Sequence, residues 1–150
     1  MQIFDSWASE LSHYHYQKFS LPFIDRISKE VKDECTKLNL KKVPMIIFAK
    51  NVTNSIIPLI ESLNYDVIGL DWTTSPLEVK TMKCVQGNFD PSILYANDES
   101  IEKETKIVCD EFKKRKVKGW ISNLGHGITP GVNPESLKRF LECVQIYSKK

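Results

Sequence analysis

Short apolar segments alternate with stretches of helical periodicity along the whole chain, and this alternation limits the possible folds more than any other feature. The segment at residues 43–49, VPMIIFA, is apolar throughout and is flanked by lysines. Similar segments occur at residues 1–7, 65–72, 83–90 and 119–127. Short apolar runs of this kind are typical of strands that are buried on both faces of a parallel sheet.

Four segments between and after these strands carry apolar residues at three- and four-residue steps, as helices packed on a sheet do. Ser20 precedes the first of these segments and is suited to cap it, and Pro58 marks an early turn or a kink in the second. Asp98 is a candidate cap for the third, and Asn133 begins the fourth. Their apolar positions are Leu21, Ile24, Ile27, Val31, Cys35 and Leu38; Ile56, Ile57, Ile60 and Leu63 in a segment that starts at Thr53; Ile101, Thr105, Val108 and Phe112; and Leu137, Phe140, Leu141, Val144 and Tyr147.

Strands that alternate with helices through short loops predict an α/β fold with a parallel sheet covered by helices. A closed barrel of this kind needs eight strands and about 250 residues. Five predicted strands in 150 residues therefore form only part of a barrel. The pattern alone leaves a five-stranded, open, doubly wound sheet as an alternative, because both folds consist of βα units. No linker or internal repeat divides the chain, so we expect one domain over residues 1–150.

Composition and charge argue against several classes of protein. The chain has 21 Lys and Arg residues against 19 Asp and Glu residues, so no general attraction to nucleic acid is expected. No apolar stretch approaches the roughly 20 residues of a membrane span, and the N-terminus lacks the features of a signal peptide. The four cysteines are too widely spaced for a disulfide framework or a zinc site. We therefore expect a cytoplasmic protein, or an organellar one if a transit peptide precedes this sequence.

Polar residues and glycines follow the carboxyl ends of all five predicted strands, the edge at which parallel α/β folds hold their sites. Because parallel strands end at the same edge, we expect these residues to form one rim. The sequence thus predicts the location of a site without predicting its reaction. The residues are Asp5, Ser6 and Trp7; Lys50 and Asn51; Asp71 and Trp72; Gln86, Gly87, Asn88 and Asp90; and Asn123, Gly125, His126 and Gly127.

Several of these residues also have simple structural explanations. His126 lies between two glycines and is compatible with an exposed turn, although glycines also permit close approach of a ligand. Ser6 is compatible with a local hydrogen bond, and Asp71 with a cap on the turn that follows it. Gly87-Asn88, followed by Asp90-Pro91, has the composition of a turn.

Established catalytic motifs give no further help. The sequence contains no phosphate-binding loop, dinucleotide-binding fingerprint, nucleophile elbow or zincin motif. His13 and His15, in the segment SHYHY, are spaced by two residues without a nearby cysteine. This is a weak metal-binding pattern, so we expect a surface loop there and no metal site.

The strand-end segments, taken in order, resemble the uroporphyrinogen decarboxylase family. The matching motifs are FDSWA at residues 4–8, LP at 21–22, GLDW at 69–72, QGNFDP at 86–91 and NLGHGI at 123–128, followed by Pro130 and by NPE at 133–135. The resemblance extends over nearly all of the chain. Each motif is short, but the ordered set is specific and corresponds to the C-terminal part of that family.

The resemblance implies a TIM-type (β/α) barrel, of which this chain holds about the five C-terminal βα units. It also implies a cytoplasmic homodimer that decarboxylates the four acetate side chains of uroporphyrinogen to give coproporphyrinogen in haem biosynthesis, without metal or organic cofactor. In that family the serine of the FDS motif and the histidine of the NLGHG motif line the substrate cleft. They correspond to Ser6 and His126, and Phe4 and Asp5 occupy neighbouring cleft positions.

The sequence departs from the family in what is missing upstream of Phe4. The family's arginine-rich segment, its pyrrole-binding aspartate and its cleft tyrosine have no counterpart, and the arginines present are Arg26, Arg115 and Arg139, on predicted helices. We therefore assign no catalytic residue in this chain. We expect it to be part of a longer protein and to have little or no activity alone.

Two other functions remain open at this point. One is a non-catalytic half-barrel that binds porphyrin or a decarboxylase subunit. The other is a cobamide-linked methyltransferase, an enzyme related to the decarboxylases. Those enzymes hold zinc with a histidine and cysteines near the strand that corresponds to residues 43–49, whereas this strand runs into Lys50 and Asn51.

Overall fold

The computed structural model describes residues 1–51, 56–115 and 119–149. Its five strands are all parallel and form one sheet in the order of the sequence. Consecutive order belongs to a segment of a (β/α) barrel, whereas the strand order of a doubly wound sheet reverses direction at a switch point. The open alternative is therefore wrong. The strands are β1 (Gln2–Asp5), β2 (Ile46–Ala49), β3 (Val67–Gly69), β4 (Cys84–Phe89) and β5 (Trp120–Leu124).

Helices connect and follow the strands: α1 (His13–Phe19), α2 (Leu21–Lys37), α3 (Ile57–Glu61), α4 (Asp98–Lys114) and α5 (Pro134–Tyr147). Two short 3₁₀ helices, Ala8–Glu10 and Pro91–Tyr95, follow β1 and β4. All four predicted helices are present in the described residues, and α1 is additional. None of these helices is both long and apolar enough to cross a membrane.

The helix starts agree with the predicted ones to within one residue wherever they are described. Asn133 caps α5 by accepting a hydrogen bond from the backbone of Glu135, as predicted. The cap of α4 is Asn97, so Asp98 instead begins the helix, where a carboxylate favours the positive end of the helix dipole. Pro58 lies in the first turn of α3 and does not kink it. Thr53, the predicted start of that segment, lies outside the described residues.

Two local predictions were wrong. Gly87 and Asn88 belong to β4 and not to a turn. A Cβ on Gly87 would lie 2.4 Å from the carbonyl oxygen of Leu70, so glycine is required there by the close approach of the chain after β3. His13 and His15 lie on α1 and not in a loop, because Ser12 caps that helix.

The two faces of the sheet differ in their surroundings. On the outer face, Ile47, Ile68 and Val85 are buried in one cluster with helix residues such as Ile24 and Ile60. Burying such a side chain stabilises the fold by about 1.5–3 kcal/mol. A second cluster joins α4 and α5 to the end of β4 and includes Phe89, Ile101, Cys109 and Phe140.

The inner face carries the side chains of the alternate residues along each strand, because successive residues of a strand point to opposite faces. Strand register places Phe4, Phe48, Gly69, Gln86 and Ile121 in one row across this face. Phe4 is 67% exposed and Ile121 is 41% exposed. In a (β/α) barrel this row faces the interior.

Candidate functional site

A cavity of about 570 Å³ lies on the inner face of the sheet. Phe4 and Ser6, from the end of β1, and His126, from the loop after β5, all contribute to its wall. Apolar side chains, including Phe48 and Leu70, complete the lining near the middle of the sheet. The structure therefore brings three of the four predicted site residues together from the two opposite edges of the sheet.

Asp5, the fourth predicted residue, is not part of the cavity lining. Since neighbouring residues of a strand point to opposite faces, the residue after Phe4 faces the helices. Its carboxylate accepts a 2.7 Å hydrogen bond from the hydroxyl of Ser20, at the start of α2. The buried Tyr16 of α1 lies close by, and burial together with the negative charge of Asp5 raises the pKa of its hydroxyl. Contact between Asp5 and a ligand stays a prediction.

The imidazole of His126 is exposed and makes one aromatic contact and one polar contact within the described residues. The ring of Trp72 meets it edge to face, with ring centroids 5.8 Å apart and ring planes at 87°. Nδ1 lies 3.3 Å from the carbonyl oxygen of Gly127. A carbonyl can only accept, so in this contact Nδ1 carries the proton and Nε2 is left for another partner.

The turn after β3 is held by the buried side chain of Asp71. One carboxylate oxygen accepts hydrogen bonds from the backbone N–H of Thr73, at 2.9 Å, and from its hydroxyl, at 2.5 Å. The other accepts from the backbone N–H of Asn51, after β2. The prediction that Asp71 caps this turn is confirmed, and the same carboxylate also joins the ends of β2 and β3.

Two amide side chains form part of the cavity wall between β1 and β4. Nε2 of Gln86 donates a 3.3 Å hydrogen bond to Oε1 of Gln2. Gln86 was among the predicted rim residues, whereas Gln2 and Phe48 were not. The two-residue period of a strand could have indicated Gln2 and Phe48 as residues of the inner face. It places Gln2, for example, on the same face as Phe4.

Of the remaining rim residues, Asn123 and Gly127 also line the cavity, whereas others serve the loops. Asp90 caps the 3₁₀ helix after β4 by accepting from the backbone of Ser92. Lys50 and Asn51 do not line the cavity. Within residues 1–51, 56–115 and 119–149, no three His, Cys, Asp or Glu side chains are grouped so that they could hold a metal ion.

The family model and the curated relatives that match this chain all carry the name of one family. A protein-family model described as uroporphyrinogen decarboxylase (URO-D) matches residues 1–147. The uroporphyrinogen decarboxylase of Schizosaccharomyces pombe is 48% identical over 152 residues, which cover 98% of this chain and 42% of the relative. The human protein of that name is 38% identical over 155 residues, covering 99% and 41%. The Acinetobacter baylyi protein is 40% identical over 156 residues, covering 100% and 42%. The chain thus spans 41 to 42% of the length of these relatives.

Among solved structures, a methyltransferase from Methanosarcina mazei has a similar fold, with a TM-score of 0.76. The similarity covers 99% of this chain and 42% of that chain, at 14% sequence identity. At this identity the similarity concerns the fold alone. It agrees with a partial (β/α) barrel of five consecutive parallel strands.

Proposed function

The chain belongs to the uroporphyrinogen decarboxylase family, and from this premise we propose that it is the C-terminal part of a carboxy-lyase domain that converts uroporphyrinogen to coproporphyrinogen. One observation supports the proposal above the others. Phe4, Ser6 and His126 come from opposite edges of the sheet and line one cavity on its inner face. Ser6 and His126 follow the carboxyl ends of β1 and β5, and a barrel enzyme of this type carries out its chemistry at that end of the strands.

Ser6 and His126 are suited to binding the carboxylates of a tetrapyrrole. The Ser6 hydroxyl can donate a hydrogen bond to a carboxylate, and Nε2 of His126 can donate one when the imidazole is cationic, because Nδ1 donates to the carbonyl of Gly127. Phe4 and Phe48 give the cavity an apolar wall against which the pyrrole rings pack. Asp5 contributes indirectly, by holding the end of β1 through Ser20, so that Ser6 has a fixed position.

The reaction makes few chemical demands on these residues. The bond between the acetate methylene and its carboxylate breaks, carbon dioxide leaves, and the electron pair passes into the protonated pyrrole ring. A proton then replaces the lost carboxylate on the methylene carbon. The protein has to position the substrate and stabilise charge where it develops, which is what hydrogen-bond donors in a fixed cavity do.

Turnover needs more than the residues of this cavity. Within the described residues none of the three arginines lines it, so the carboxylates of the substrate lack strong cationic partners there. Five strands do not close a barrel. We therefore propose that activity requires further βα units, in a protein that acts as a cytoplasmic homodimer.

The test uses the protein made from the native transcript, with uroporphyrinogen as substrate and coproporphyrin measured after oxidation of the product. Replacing Ser6→Ala or His126→Gln is expected to lower turnover by at least about tenfold, as the loss of a positioned donor does. The matched control is His13→Gln, on the exposed surface of α1, which is expected to leave activity unchanged. Unchanged turnover in both site variants refutes the proposal. Full turnover by the 150-residue chain alone refutes the need for further units.

A non-catalytic half-barrel that binds porphyrin is the second candidate, and the cavity without arginines favours it. If this candidate is right, porphyrin binds to the 150-residue chain and His126→Gln abolishes that binding. The protein made from the native transcript then shows no turnover of uroporphyrinogen. A cobamide-linked methyltransferase loses support from the family match, and β2 runs into Lys50 and Asn51, which are not zinc ligands.

A further inference from the structure

Trp72 touches His126 without touching the cavity. The two rings meet edge to face at a centroid distance of 5.8 Å. His126 belongs to the cavity wall, whereas Trp72 does not and is 37% exposed. The indole therefore supports the imidazole from outside the cavity, and any effect it has on a ligand there is exerted through His126.

The backbone of Trp72 is fixed by two buried polar side chains. Nδ2 of Asn88, a residue that is 5% exposed, donates to the carbonyl oxygens of Asp71, at 2.9 Å, and Thr74, at 2.6 Å. These two carbonyls flank the turn that contains Trp72. The carboxylate of Asp71 closes the same turn through the backbone N–H of Thr73. Buried hydrogen bonds of this kind resist exchange with water, so the turn is held firmly to the end of β4.

The backbone before His126 is equally constrained. The N–H of Gly125 donates a 2.7 Å hydrogen bond to the carbonyl oxygen of Phe89. A Cβ on Gly125 would lie 2.4 Å from the backbone nitrogen of Trp72, so the two chain segments are in direct contact. The segments that carry the indole and the imidazole therefore keep a fixed separation, and only the torsions of the two side chains remain free.

We infer that Trp72 is a positioning residue, which restricts the His126 ring so that Nε2 faces the cavity, where the N–H that it carries in the cationic imidazole donates to a carboxylate. Without the indole, an exposed imidazole between two glycines samples several rotamers, and only some of them present that nitrogen to the cavity. The part of this inference that concerns the carboxylate rests on the proposed function. The contact between the two rings does not.

The first test measures the ring contact without any ligand. The chain has three tryptophans, and Trp7→Phe removes the one that is 75% exposed and uninvolved. In that background we expect tryptophan emission to fall as His126 becomes protonated, because a protonated imidazole in contact with indole quenches its fluorescence. The step is expected to disappear on Trp72→Phe and on His126→Gln, and to remain in the double variant His13→Gln, His15→Gln. A step that survives His126→Gln or Trp72→Phe overturns the inference.

The second test measures binding of uroporphyrin, the stable oxidised octacarboxylate, to the same purified protein by fluorescence titration. Trp72→Ala is expected to weaken binding by about three- to tenfold, which corresponds to the loss of one aromatic pair. Trp72→Phe, which keeps an aromatic ring, is expected to restore most of it. Equal affinities of Trp72→Ala and wild type overturn the positioning role, as does Trp72→Phe binding as weakly as Trp72→Ala.

The two tests separate failure of this inference from failure of the proposed function. If His126→Gln weakens uroporphyrin binding and Trp72→Ala does not, the function stands and the positioning role is wrong. If uroporphyrin binding is unaffected by both changes while the fluorescence step depends on both residues, the ring contact stands and the proposed ligand is wrong.

Discussion

The hydroxyl of Ser20 donates a 2.7 Å hydrogen bond to Oδ2 of Asp5, which ties the start of α2 to the carboxyl end of β1. Replacing Ser20→Ala leaves a half-buried carboxylate without this donor. We expect the free energy of unfolding to fall by about 1–3 kcal/mol, measured by urea denaturation. The matched control is Ser9→Ala, whose hydroxyl donates to the exposed side chain of Glu10. Equal effects of the two changes contradict a structural role for the Ser20 bond.

Gly125 and Gly127 flank His126 but differ in the space around them. An added Cβ at Gly125 would meet the backbone of Trp72 at 2.4 Å, whereas at Gly127 it would meet no atom of the described residues within 4 Å apart from the adjoining residues. Gly125→Ala is therefore expected to lower the free energy of unfolding by about 1–3 kcal/mol, since the backbone must shift to make room. Gly127→Ala is expected to change it by less than about 0.5 kcal/mol. Thermal or urea denaturation of both variants checks this, and a reversed order refutes the close approach.

Asn88→Asp changes the side chain by one group of nearly the same size. The carboxylate cannot donate to the carbonyls of Asp71 and Thr74 and is buried against both of them. We expect a loss of about 2–4 kcal/mol in the free energy of unfolding. Asn123→Asp is the control, because Oδ1 of Asn123 accepts from the backbone of Leu124 and a carboxylate can do the same. Equal stability of Asn88→Asp and wild type contradicts the bridging role of this amide.

Burial raises the pKa of the Cys109 thiol from 9.0 to about 11. At a pH between these values the unfolded chain has lost this proton and the folded chain has kept it, so the folded state binds more protons. The contribution of this thiol to the free energy of unfolding is therefore fully present below pH 9 and decreases as the pH rises towards 11. Cys109→Ala is expected to make the fall in melting temperature between pH 8 and pH 10 shallower, whereas Cys35→Ala, at a half-buried position, serves as the control. An unchanged slope in Cys109→Ala argues against the raised pKa.

Much of the fold could be predicted because long periodic segments specify it. Helices α2, α4 and α5 each have an apolar face of several turns, and the cap at Asn133 is a local signal, whereas the predicted cap of α4 was one residue off, at Asp98 instead of Asn97. Helix α1 could not be predicted because HYHYQKF has no apolar period. Its formation depends on the Ser12 cap and on burial of Tyr16 against the rest of the chain.

The errors have tertiary causes. Gly87-Asn88 has the composition of a turn, yet both residues continue β4, and the glycine is needed because the carbonyl of Leu70 approaches it. No local pattern shows which other segment will come that close. The partner strand has to be known first.

The candidate site was predictable in its location and only partly in its members. Strand ends and the family resemblance together pointed to Phe4, Ser6 and His126, and the structure places all three at one cavity. Asp5 lies between Phe4 and Ser6, and because successive residues of a strand alternate in direction its side chain is on the opposite face of the sheet. The contact of Trp72 with His126 joins the ends of two strands that are not adjacent, so the sequence carried no signal for it.

The consecutive order of the five strands has a consequence for how the molecule is made. Each of β2 to β5 pairs with the strand that was synthesised just before it, and no pairing among these five strands waits for a distant part of the chain. During translation, every βα unit can dock on its predecessor as soon as it leaves the ribosome, because N-terminal elements become available first. Through these five units the sheet thus grows one strand at a time, and each new strand has to be shielded from wrong partners until the next one arrives.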